Sequence, residues 1–237
     1  MKEIKLLFQN SDFVIIDKPA NLNFHSEDNK AGLVVLTSKL LYPENTSSFL
    51  TAHEKQLYSV HRLDKMTSGL LLLAKTKEAA QIFTKMFENR EIEKFYIAIS
   101  TKKPKKKQGW IKGDMVKARR GSYMFAKTSD NPAITQFISK ALRPNERFFL
   151  IKPHTGKTHQ IRVALKSIGA PVAGDIRYAN ADKAKKEDRG YLHAFALYFN
   201  YKDKDYRFTC KPDEGERFIS FACSDILKEY MEPQSFF

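Results

Sequence analysis

The sequence predicts an α+β fold, and three observations lead there. Strand-like segments outnumber helical ones and do not alternate regularly with them, unlike the segments of a doubly wound protein. The 237 residues are 42% hydrophobic and 12% aromatic, enough to close a sizeable core and well outside the disordered class. No internal repeat, low-complexity tract or long flexible linker interrupts them, and the length fits one large domain or two small ones.

Taken in order, Asp12 to Asp17 reads as a strand centred on Val14, Ile15 and Ile16, and Lys18-Pro19 stops it. Pro19 to Asp28 is polar and turn-rich. Leu70 to Ala74 is an unbroken apolar run, read as a buried strand that Gly69 bounds at its start. A helix should follow, with Thr76 as N-cap, Glu78 in the first turn, and Ala79, Ile82, Phe83, Met86 and Phe87 on one face. Phe95 to Ile99 alternates as a half-buried strand does, and Thr135 to Ile138 and Phe148 to Ile151 look like two more. A short helix from His159 to Ile168 turns Ile161, Ala164, Leu165 and Ile168 inward, and Gly169 and Pro171 end it. Leu192 to Phe199 and Tyr206 to Cys210 are strand-like, and Ser224 to Met231 is a closing helix.

Charge narrows the partners. Lys and Arg number 41 against 27 Asp and Glu, a formal +14 that points to nucleic acid or an acidic membrane surface. The surplus is uneven. Thr101 to Lys127 holds ten basic residues (Lys102, Lys103, Lys105, Lys106, Lys107, Lys112, Lys117, Arg119, Arg120 and Lys127) and a single acid, Asp114. A solvated loop would show such a run too. Trp110, Tyr123, Met124 and Phe125 add stacking surfaces beside the cations, as in proteins that hold single-stranded or looped nucleic acid. Pro104, Gly109, Gly113 and Gly121 break any membrane-surface helix. Cys210 and Cys223 are too few for a disulfide framework or a four-cysteine zinc site. No segment has signal-peptide form, and no run approaches the ~18 apolar residues of a membrane span, so a soluble cytoplasmic protein is expected.

Two segments carry chemistry. In His61-Arg62-Leu63-Asp64-Lys65-Met66-Thr67-Ser68-Gly69 a short acid lies among cations on a loop entering a buried strand. Neighbouring cations favour an ionised carboxylate, suited to act as nucleophile or base. A structural ion pair, or a turn capped through Thr67 and Ser68, explains the same residues, and spacing alone favours that structural reading. The second segment, His154-Thr155-Gly156-Lys157-Thr158-His159-Gln160-Ile161-Arg162, opens the short helix. Gly156 permits a tight turn, and free N–H groups at a helix start attract phosphate or carboxylate. His159, Arg162 and Lys166 form a polar stripe, which a plain surface helix would also show.

HRLDKMTSGLLLLAK (His61 to Lys75) resembles the signature of the RluA family of RNA pseudouridine synthases, and TGKTHQIR followed by GAPVAGD (Gly169 to Asp175) resembles its second signature. DFVIIDKPANLNFH (Asp12 to His25) is similar to the family's opening strand and loop. EKFYIAI (Glu93 to Ile99) is similar to the strand bearing its tyrosine, and YLHAFAL (Tyr191 to Leu197) to its late LHA element. The matches keep family order and cover roughly Asp12 to Phe221.

The resemblance implies a mixed, mainly antiparallel central sheet flanked by helices and loops, in a single catalytic domain over 1–237. A basic insert falls at about 101–127, and no S4-type RNA-binding domain is expected in front. It implies isomerisation of a uridine within RNA, with neither cofactor nor metal, and the sequence offers no clustered metal ligands, Walker loop or GxGxxG after a strand. Matched by position, Asp64 is the catalytic aspartate, acting on ribose or base. Tyr96 packs on the uracil ring, and Arg162 pairs with Asp64. Arg62 reaches into the RNA beside the target base, and His61, Lys157 and His159 are further RNA contacts. Among the insert's cations, Lys102, Lys103, Lys105, Lys106, Lys107, Arg119 and Arg120 are expected on RNA. The reacting atoms are inaccessible in a stacked helix, so the nucleotide must be flipped out, most cheaply from a stem-loop or irregular region of rRNA or tRNA. A monomer is expected. Three positions depart from the pattern: Lys157 replaces an arginine, Ala164 a histidine, and Asn200-Tyr201 a His-Pro pair. A non-catalytic RNA-binding or ribosome-assembly factor on the same fold, and a basic membrane-surface protein, are the rival readings.

Overall fold

The computed structural model describes residues 3–24, 26, 31–43 and 56–237. His25 and the end of the turn-rich stretch at Asp28 lie outside the described residues. The chain divides into two compact units, 1–92 and 93–237.

The first unit is built on β1 (Lys5–Gln9), β2 (Phe13–Lys18), β3 (Tyr58–Ser59) and β4 (Ser68–Ala74), with helices α1 (Leu33–Leu41) and α2 (Lys77–Glu88). β2 pairs antiparallel with β1 on one side and β4 on the other, Phe13 opposite Ala74 and Lys18 opposite Gly69. All seven residues of β4 are buried, which explains its unbroken apolar run: a strand covered on both faces has no polar alternation. Thr76 caps α2 as expected, its Oγ1 accepting from Ala79 N at 3.1 Å. Phe83 on that helix meets Phe13 edge-on, ring centroids 5.3 Å apart. This pairing binds the helix to the strand whose far end carries Lys18.

The second unit holds β5 (Glu93–Ser100), β6 (Gln108–Gly113), β7 (Met115–Lys117), β8 (Tyr123–Phe125), β9 (Ala133–Arg143), β10 (Glu146–Pro153), β11 (Leu192–Tyr201) and β12 (Lys204–Thr209), with α3 (Gln160–Ser167), α4 (Ala181–Ala184) and α5 (Phe221–Glu229). β5 lies between β11 and β10, β9 follows β10, and β6 follows β9, while β12 pairs with β11. β7 and β8 form a separate hairpin. Among the described residues the pairings within each unit are antiparallel, in keeping with the mainly antiparallel sheet expected. Among the described residues, no helix is long and apolar enough to cross a membrane.

Several elements differ from expectation. The sequence does not predict β1, α1, β3, β6, β7, β8 or α4, and α5 starts at Phe221 because Ser220 Oγ accepts from Cys223 N at 3.3 Å and caps it there. The basic stretch is not one loop. Ile111 and Gly113 are buried while Trp110 and Lys112 are exposed, so β6 does alternate, and its charged residues mask the period. Gly156, read as permitting a tight turn, is not in the left-handed region. His159 is there instead, with φ 59°, just before α3.

His193, on β11, is almost fully buried and its Nε2 donates to Cys210 O at 2.9 Å. Burial pushes the imidazole down to about 3, and the Arg189 guanidinium acts in the same direction. Its ordinary value in the unfolded chain is about 6.5, so the unfolded state takes up a proton first and stability falls as pH drops from about 6.5 toward 3. The loss from this one residue should be on the order of 3 kcal/mol near pH 4. Urea midpoints at about pH 7 and pH 4 should show a smaller acid penalty in His193→Gln than in the natural chain, and equal penalties would exclude His193 as the cause.

Candidate active site

In the first unit the motif loop is built around a buried ammonium. Lys18 ends β2 with no solvent exposure, and its Nζ donates to the backbone oxygens of Pro19 (3.0 Å), Lys65 (3.1 Å) and Thr67 (2.8 Å). A lysine Nζ has three donors, and three carbonyls are placed to receive them. The loop also closes on itself, with Thr67 N donating to Asp64 O at 3.0 Å. Asp64 therefore sits at the start of a tight turn whose far side the ammonium clamps, half-buried and next to the all-buried β4. Arg62 and Lys65 flank it and are exposed. His61 is turned to internal use: its Nε2 accepts from Leu72 N at 2.9 Å, and its ring stacks on Phe87 with centroids 4.5 Å apart.

In the second unit Arg162 is the centre. It is 6% exposed on α3, and its guanidinium grips Asp175 in a two-bond fork, Nε to Oδ2 at 2.7 Å and Nη2 to Oδ1 at 2.9 Å. Asp175 is wholly buried and also accepts from Arg177 N (3.0 Å) and Tyr178 N (3.2 Å). A buried charge pair survives only when its remaining lone pairs and protons are satisfied, and here backbone amides do that for the carboxylate. The chain reaches this geometry through Gly174, at φ 75°, where an added Cβ would lie 1.9 Å from Arg189 O. Asp175 closes the second motif, yet nothing in the sequence marked it as Arg162's partner. A short acid directly after a glycine was the available signal.

Tyr178 joins Arg162 to the basic insert. The guanidinium carbon lies 5.0 Å from its ring centroid. Its hydroxyl accepts from Tyr123 N at 2.9 Å and stands 2.8 Å from His159 Nδ1. Burial raises the phenol's pKa, so the hydroxyl stays protonated and can donate to that nitrogen. The hairpin of β7 and β8, with exposed Arg119 and Arg120 at its tip, is thereby tied to the ring beside Arg162. Arg177 adds a bond from Nη1 to Arg120 O at 2.9 Å.

Gln160 organises the motif loop of this unit. Its Nε2 donates to Ile134 O and Thr135 Oγ1, both at 3.0 Å, while its Oε1 accepts from Thr155 Oγ1 at 2.7 Å and Lys157 N at 3.0 Å. One buried carboxamide satisfies the loop's amide and hydroxyl and pins it to β9. Lys157 Nζ donates to Asn131 Oδ1 at 2.9 Å. Tyr96 is half-buried on β5, opposite Ile151 and Ala194. The side chains of Lys102, Lys103, Lys105, Lys106 and Lys107 are exposed, although Lys105 N is anchored on Ile168 O at 2.8 Å. Lys102 and Lys103 line a cleft with Arg143 and Arg147, two cations the sequence did not single out. Thus Asp64, His61 and Arg62 share one unit, and Tyr96, Arg162, Lys157, His159 and the insert share the other. Among the described residues no group of three or more His, Cys, Asp or Glu side chains is placed to hold a metal.

Residues 12–167 match the family model described as RNA pseudouridylate synthase. A protein of Haemophilus influenzae described as an uncharacterized RNA pseudouridine synthase is 43% identical over 229 residues, which cover 97% of this chain and 96% of that one. The ribosomal large subunit pseudouridine synthase C of Rickettsia bellii is 32% identical over 195 residues, covering 80% of this chain and 61% of its own length. Among solved structures, human RNA pseudouridylate synthase domain containing 4 superposes with TM-score 0.70 at 24% identity, covering 93% of each chain. Human RNA pseudouridylate synthase domain containing 1 gives 0.71 at 21% identity, over 89% of this chain and 84% of that one. The fold is shared with both.

Replacing Asp175 by Asn removes the carboxylate charge from the fork on the buried Arg162 guanidinium, a change expected to cost about 3 kcal/mol. Urea unfolding of Asp175→Asn should show that loss. A midpoint equal to that of the natural chain would mean the pair contributes nothing to the fold.

Proposed function

Because the chain belongs to the RluA family of RNA pseudouridine synthases, isomerases that act on RNA, we propose that Asp64 is its catalytic residue and that its substrate is one uridine in structured rRNA or tRNA. The observation that carries this reading is the clamped turn at Asp64. A carboxylate used on a single atom of a large, flexible substrate must not wander, and the buried Lys18 ammonium removes the loop's freedom before any RNA arrives. The ribosomal relative from Rickettsia supports rRNA as the substrate class.

In the reaction the N1–C1′ bond breaks, the uracil turns, and a C5–C1′ bond forms. C5 gives up its proton and N1 ends protonated, so no atom is gained and no redox partner is required. Asp64, flanked by Arg62 and Lys65, is poised as the anion that acts on the nucleoside. Tyr96 is proposed to pack on the uracil ring. Arg162 is proposed as the fixed cation of the chemistry, a role suited to a guanidinium already held flat by Asp175. Arg62, Lys157, His159 and the insert's cations are proposed for the RNA backbone, with His61 acting through the loop it braces. The enzyme is read as a cytoplasmic monomer with one catalytic domain and a basic insert that grips RNA.

Asp64→Asn should abolish pseudouridine formation on cellular rRNA and tRNA while RNA affinity stays within a few-fold. Turnover retained by that variant would remove Asp64 from the chemistry, and RNA binding with no product from the natural chain would favour a non-catalytic RNA-binding factor. Neutralising Lys102, Lys103, Lys105, Lys106 and Lys107 together should weaken RNA binding and reduce the slope of log affinity against log salt by roughly 1 to 3. An unchanged slope would reduce the run to solvated loop.

A further inference from the structure

We propose that Trp110, His154 and Lys112 form a second nucleotide-binding site, a stacking platform for an unpaired base of the RNA other than the uridine that reacts. This deepens the reading above and rests on it.

The platform lies on β6, the last strand of its unit's sheet, which pairs only with β9 among the described residues. Trp110 is the largest side chain on that strand and is 48% exposed, although burial of such a ring is strongly favourable. Its indole stacks on the imidazole of His154, centroids 4.8 Å apart and planes inclined by 28°. Lys112, two residues along on the same side of the strand, holds its Nζ 4.9 Å from the indole centroid. The imidazole is itself placed: His154 N donates to Ile134 O at 2.9 Å, and its Nε2 lies 3.2 Å from Gln136 Oε1. Two flat rings already stacked and partly dry, with the ammonium of an exposed lysine over the indole, match a nucleobase and its phosphate.

Charge chooses RNA over other flat ligands. The surrounding stretch, 101–127, has ten cations and one acid. That acid does not oppose a polyanion freely. Asp114 accepts from Thr128 Oγ1 at 2.6 Å and from the amides of Asp130 and Asn131, both at 2.9 Å, and these bonds hold its carboxyl below the usual carboxylate range. Its oxygens face the loop it organises. A duplex cannot use the platform, because its bases are already stacked on one another, so the site selects unpaired nucleotides.

Trp110 is the chain's only tryptophan, so indole emission reports on this site alone. Titrating the full chain with a short single-stranded oligouridylate at low salt should quench that emission saturably, and an RNA duplex of equal length should quench it far less. Trp110→Ala should weaken oligouridylate binding roughly tenfold, and Trp110→Phe should retain most of the affinity. With a structured RNA substrate the loss in Trp110→Ala should fall on KM rather than kcat. Emission unchanged while anisotropy shows oligouridylate binding, or equal affinity in Trp110→Ala, would overturn the platform, as would quenching by anionic vesicles but not by RNA. Pseudouridine formation by the natural chain in those cases leaves the proposed activity standing. Absence of product with a saturable quench would instead overturn the activity and keep the platform.

Discussion

A carboxylate with no solvent exposure and a guanidinium almost as deeply buried cannot be separated cheaply once the chain has folded around them. Arg162 and Asp175 are that pair, and a large part of the second unit follows from keeping them satisfied. Gly174 is needed because only a residue without Cβ passes so close to Arg189 O. The amides of Arg177 and Tyr178 are directed at the carboxylate, which sets the turn after it and brings the Tyr178 ring to the guanidinium. Through its hydroxyl, that ring fixes His159 on one side and the hairpin on the other. Helix, turn and insert thus hold one another through a single ion pair.

The first unit holds its own buried charge, the Lys18 ammonium, against backbone carbonyls. Lys18 donates to three backbone carbonyls, and the loop that supplies two of them contains Asp64. Burying an ammonium in this way is costly, and it is tolerated where a loop must be held in one conformation. Both units therefore spend stability on order around the residues proposed to act on RNA, one through a clamp and one through a fork.

Legibility in the sequence depended on how local each cause was. β2, β4 and α2 were readable because apolar runs, a helical period and the Thr76 cap are properties of adjacent residues. The HRLD motif was readable as a pattern, while the reason for its rigidity was not. Lys18 looks like a strand stop before a proline, and only pairing with β4 reveals that it faces the turn at Lys65 and Thr67. Asp175 stands 13 residues from Arg162, beyond the reach of any helix spacing, so the fork is a tertiary fact. β6 escaped because alternation was written in lysine and tryptophan rather than in polar and aliphatic residues. His159 shows the limit of reading flexibility from glycine: Gly156 was available, but the left-handed residue is a histidine whose ring is held by Tyr178.

The buried cations also change what a polyanion meets. Lys18, Arg162 and Arg189 count toward the formal charge, but all three are sequestered and the two arginines are already neutralised. The two arginines leave the count together with Asp175 and Glu214, so the outward surplus still gathers on 101–127, where ten cations face one acid. A body whose outward charge is gathered on one segment experiences a torque in the field of RNA as well as an attraction. It turns that segment forward during approach, so fewer collisions are wasted on the wrong face, and the gain is in encounter rate and orientation before a single hydrogen bond has formed.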